Sequence, residues 1–70
     1  MDPLAFGTDL TNTLIGEMKR GDWEVPNFTA LGIGHEVRKR ARNQGLSAEE
    51  QMQALRGSTN VMQNQLGLWR

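Results

Sequence analysis

The stretch Ala41-Arg42-Asn43-Gln44-Gly45-Leu46-Ser47-Ala48-Glu49-Glu50 ends one helix and begins another. Gly45 suits the left-handed position that closes a helix, and Leu46 supplies the apolar contact of a Schellman ending. Ser47 and Glu50 stand at the Ser-x-x-Glu spacing of a capping box, in which each side chain satisfies the other residue's free backbone N–H. A stop and a start so close together predict a helical hairpin. Every other segment of the chain also reads as helix or turn, so the predicted class is all-α with three helices.

Downstream, Ala48, Met52, Leu55, Thr59, Met62, Leu66 and Trp69 are spaced alternately four and three apart, and only Thr59 is polar. That is a heptad seam, the pattern of coiled-coil packing. A seam packed within its own chain is the alternative. Gly57 falls outside the seam. Either the third helix breaks there, with Ser58 capping a second piece, or a neighbouring chain presses closely on that outer face. The seam keeps its phase across Gly57, which favours one long helix over about 48–66, with Gly67 marking a frayed end.

Upstream, the second helix lies within about 28–44, on a stripe of Ala30, Ile33, Val37 and Ala41. Gly32 and Gly34 each cost about 1 kcal/mol relative to alanine in a helix interior. They place the start of its regular part as late as Gly34, after a short turn at 27–31. The first helix covers about 3–20. Asp2 is a good N-cap, Pro3 fits the first helical position, and Lys19 and Arg20 complement the dipole before Gly21 ends it. Leu4, Phe6, Leu10, Leu14, Ile15 and Met18 spread over about 180° of its surface, wider than the stripe of a helix resting on one core. Gly7 and Thr11 lie inside that arc, where small side chains let another backbone come close. The arc implies either two partners or a position between the other two helices of the chain. In the linker at 22–27, Pro26 pushes Val25 toward an extended conformation. Trp23 there is either a binding anchor or a lid over the end of a small core.

Seventy residues make one domain at most. So short a chain hides only about 60% of the surface it exposes when unfolded. Small scaffolds add disulfides, a metal or oligomerisation. There is no cysteine and a single histidine, His35, so no disulfide and no imidazole or thiolate metal site is expected. Association is the remaining staple. Eight basic and eight acidic residues cancel, which argues against a protein that mainly coats nucleic acid or anionic membrane. No apolar run is long enough to span a bilayer. No signal peptide is visible, so the expected location is the cytoplasm or a macromolecular assembly, a virion included.

The motifs that carry chemistry are sparse. Gly32-Ile33-Gly34 lacks the preceding strand and third glycine of a dinucleotide site and the Gly-Lys-Ser/Thr of a P-loop. His35 and Glu36 are adjacent on a helix and point about 100° apart. Glu49 and Glu50 are accounted for by the helix N-terminus. Asn27-Phe28-Thr29 fits the glycosylation pattern but has no secretory context. No enzyme, cofactor or small-molecule substrate is expected. Arg38, Lys39, Arg40 and Arg42 cover the solvent side of the second helix broadly, with Glu36 four residues before Arg40 in the favourable order for a helical ion pair. They read either as a solvated face or as contacts to phosphates or an acidic partner.

Alanine at 41, glycine at 45, an apolar residue at 46 and serine at 47 resemble the turn of helix-turn-helix DNA-binding domains. The resemblance spans about 20 residues. It implies that Ser47, Ala48, Gln51 and Gln53 lie near DNA, with the run 38–42 near phosphates. Arg40 stands where that family has an apolar residue, and Gln51 where it has an aliphatic one. The leading expectation is therefore a structural or adaptor subunit of a larger assembly, such as a minor virion or tail component or part of a secretion apparatus. Its interface residues would be Phe6, Leu10, Leu14, Met18, Trp23, Met52, Leu55, Met62, Leu66 and Trp69, and its partners other protein subunits, self or different. A small DNA-binding regulator is the second reading.

Overall fold

The computed structural model describes residues 1–21 and 29–66. Three helices, α1 (Pro3–Arg20), α2 (Thr29–Asn43) and α3 (Ala48–Leu66), make an all-α fold. The linker 22–27 with Trp23, the segment 67–70 with Trp69, and the side chain of Leu66 lie outside the described residues. Among the described residues no helix is long and apolar enough to cross a membrane.

The helix ends follow local chemistry. The Asp2 carboxylate accepts from the Leu4 N–H at 3.0 Å, and Pro3 opens α1. Gly21 closes it with φ +80°. At the end of α2, Gly45 adopts φ +85°. The Leu46 N–H reaches the Ala41 carbonyl at 3.1 Å and the Gly45 N–H reaches Arg42 at 3.0 Å. These are the two bonds of a Schellman ending, and Leu46 packs against the core. The capping box also forms: the Ser47 N–H donates to Glu50 Oε1 at 2.8 Å and the Glu50 N–H to Ser47 Oγ at 3.2 Å.

The core holds Leu14 and Ile15 of α1, Ile33, Val37 and Ala41 of α2, and Ala54, Val61 and Met62 of α3. Phe6, Leu10, Met18, Leu46 and Leu55 pack around it. Helix α3 is central, meeting α1 most extensively and α2 next. Contacts advance in the same sense along α1 and α3, from Gly7 against Ala54 to a hydrogen bond from Gln65 Nε2 to Asn12 Oδ1.

Three expectations are corrected. Helix α2 starts at Thr29, not Gly34, and runs through both glycines. Burying Ile33 and Val37 completely, at about 1.5–3 kcal/mol each, outweighs the glycine cost. Helix α3 is continuous through Gly57, as the unbroken phase of its seam favours, but Gly57 is buried rather than outward-facing. A Cβ built there would lie 2.8 Å from Thr8 Oγ1 and 3.0 Å from Thr8 N, so the backbone pressing on it is α1 of the same chain. Finally, the side of α3 turned to the core is Ala54, Gly57, Ser58, Val61 and Met62, centred about 100° away from the heptad seam at 100° per residue. Among the described side chains of the seam, Ala48 and Met52 are exposed, Leu55 and Thr59 half-buried, and Met62 buried.

The reason lies in the α1–α3 crossing. Interaxial distance depends on the side chains at the contact. Gly7 on α1 meets Ala54 on α3, and Leu4 and Thr8 meet Gly57, so the backbones come close. A Cβ on Gly7 would sit 2.6 Å from the Ala54 carbonyl carbon and 2.7 Å from its Cα. The half-cylinder on α1 is thus filled largely by the chain itself, with Leu4 left 41% exposed at its edge.

Candidate functional site

Among the described residues, two outward faces stand out beside a shallow concavity on α1 lined by Met1, Ala5, Phe6 and Leu10. The first is the side of α3 facing away from α1. Glu49, Met52, Gln53, Leu55, Arg56, Thr59, Asn60 and Gln63 line a shallow concavity of about 550 Å³ there. Met52, 61% exposed, is part of its wall. Leu55 forms one flank, tied into the core and facing Gly34 of α2, whose added Cβ would meet Leu55 Cδ2 at an ordinary 3.7 Å. The Thr59 hydroxyl donates to the Leu55 carbonyl at 2.9 Å. A partner surface covering Thr59 would therefore strand no donor there.

The second face belongs to the α2–α3 hairpin. On α2, His35, Arg38, Lys39 and Arg42 fall within about 100° of arc on the side away from Ile33, Val37 and Ala41. With Gln51 of α3 they line a concavity of about 390 Å³. Gln51 is half-buried, and its Nε2 donates to the Leu46 carbonyl at 3.1 Å, locking α3 to the turn. An amide here does by hydrogen bonding what an aliphatic residue would do by packing. Arg40 is set apart from the other cations. Its Nε donates to Glu36 Oε2 at 2.7 Å on the flank of α2, in the predicted i, i+4 ion pair.

The residues singled out from sequence are thus dispersed. Leu14 and Met62 are inside the chain's own core, and Phe6, Leu10 and Met18 are partly buried against it. Met52 and Leu55 share the outer face of α3. Arg38, Lys39 and Arg42 share the hairpin groove, and Arg40 lies outside it. Sequence reasoning missed His35 as a wall of that groove, although its spacing of three and four from Arg38 and Lys39 puts it on their face. It also missed the buried pair Thr11 and Ser58, both fully enclosed with hydroxyls that find no hydrogen-bond partner. No family model, curated protein or solved structure matches this chain.

Proposed function

We propose that the chain is a non-enzymatic structural or adaptor subunit of a larger protein assembly, of the kind a minor virion or tail component or a secretion-apparatus part represents. It acts through helix–helix contacts on the outward face of α3, and its partners are other subunits, copies of itself or different chains. The observation that carries this reading is Met52, 61% exposed on a concave face although it belongs to the chain's apolar heptad seam. Methionine's flexible, polarizable side chain adapts to varied partner surfaces. Leu55 beside it supplies a more rigid apolar flank, and Glu49 and Arg56 add charged groups to the same lining.

Sedimentation of the pure chain at low micromolar concentration tests the proposal. Association is expected, and Met52→Lys should abolish it while leaving the helix content and melting temperature of the monomer unchanged, because the side chain is largely in solvent. A folded wild-type monomer whose sedimentation and melting are independent of concentration would overturn it.

A further inference from the structure

We infer that the hairpin groove lined by His35, Arg38, Lys39, Arg42 and Gln51 is a docking site for the phosphate backbone of a nucleic acid. The chain's overall neutrality leaves this open, because no carboxylate is among the described residues that line the groove. Of the four cations on α2, the one held by a carboxylate is Arg40, which points away from the groove onto Glu36. Among the described residues, Arg38, Lys39 and Arg42 have no carboxylate partner, and all three are exposed. Arg38 and Arg42 are about one turn apart on the same face, and a planar guanidinium fork matches phosphate oxygens bidentately.

The lining decides which polyanion fits. Not one of the five described residues around this groove is apolar. A stable protein partner needs an apolar or aromatic anchor at the centre of its contact, and an inserted lipid surface needs apolar side chains to insert. A sugar-phosphate backbone needs neither, since it is held by charge and hydrogen bonds alone. The apolar face around Met52 is separate from this groove. One chain can therefore meet a protein neighbour with α3 and a nucleic acid with α2.

Fluorescence anisotropy of a labelled random-sequence DNA duplex with the full chain tests this. Three phosphate contacts give a slope of about −2.7 in log affinity against log salt, so raising salt from about 50 to about 200 mM should weaken binding about 40-fold. Arg38→Ala, Lys39→Ala and Arg42→Ala should each make the slope shallower by about 1. Lys19→Ala, exposed in the last turn of α1 and outside this groove, should leave it unchanged. Circular dichroism melts check that the variants remain folded, as expected for exposed side chains. Absence of binding at about 20 mM salt, an unaltered slope in the triple variant, or equal affinity for polyglutamate or anionic phospholipid vesicles would each overturn the assignment.

Discussion

Alanine at Gly7 or Gly57 should destabilise the protein, against the rule for glycines inside helices. Helix propensity alone predicts a gain of about 1 kcal/mol from either change. The α1–α3 crossing reverses the sign. At Gly7 the new methyl would lie 2.6 Å and 2.7 Å from two backbone atoms of Ala54, and at Gly57 it would lie 2.8 Å and 3.0 Å from two atoms of Thr8. Carbon contacts are comfortable at about 3.5–4.0 Å, so the helices must part by about 1 Å. Overpacking of a tight core costs about 1–3 kcal/mol, and the upper figure applies where backbone must move. Subtracting the propensity gain leaves a net loss of about 2 kcal/mol, a fall in melting temperature of about 8–16 °C for a domain this small.

Two other helical glycines are internal controls. A Cβ on Gly16 would meet only Arg20 Nη1 at 3.5 Å, and one on Gly34 only Leu55 Cδ2 at 3.7 Å. Both alanine variants should melt about 4–8 °C higher than the parent. Thermal unfolding followed by circular dichroism at one fixed protein concentration reads all four. The double variant Gly7→Ala/Gly57→Ala should lose less than the sum of the single losses, because helices already parted for one methyl admit the second more easily. If Gly7→Ala and Gly57→Ala instead raise the melting temperature as Gly16→Ala does, the close crossing is wrong.

Other outcomes follow from single sites. Ser58→Ala removes a fully buried hydroxyl with no partner, so denaturant unfolding should show no loss and up to about 1 kcal/mol of gain; a loss above about 1 kcal/mol would mean the hydroxyl is bonded. Ser47→Ala should cost about 1 kcal/mol by opening the capping box at the start of α3. Gly45→Ala forces a side chain into φ +85° and should cost about 1–2 kcal/mol in the same assay.

The hairpin groove was partly legible before the fold was known. Its three cations stand out in the sequence, and the Glu36–Arg40 pair follows from helical spacing. Gln51 was legible only through the helix-turn-helix resemblance, whereas its hydrogen bond to the Leu46 carbonyl depends on how the turn at Gly45 is built. The outer face of α3 shows the converse. Its apolar spacing was plain, but the spacing carried no information about whether that face turns inward or outward.

Local chemistry in the sequence determined where the helices begin and end. Asp2 with Pro3, Gly21, Gly45 with Leu46, and Ser47 with Glu50 act on backbone groups within a few residues of themselves, so no distant partner is needed to read them. Only the tertiary structure decided which side of α3 is the inside. A pattern of large apolar residues measures area available for burial, whereas a helix crossing is set by how closely two backbones can approach. Here Gly7, Ala54, Gly57 and Ser58 allow that approach, and the oily residue Met52 is left facing out.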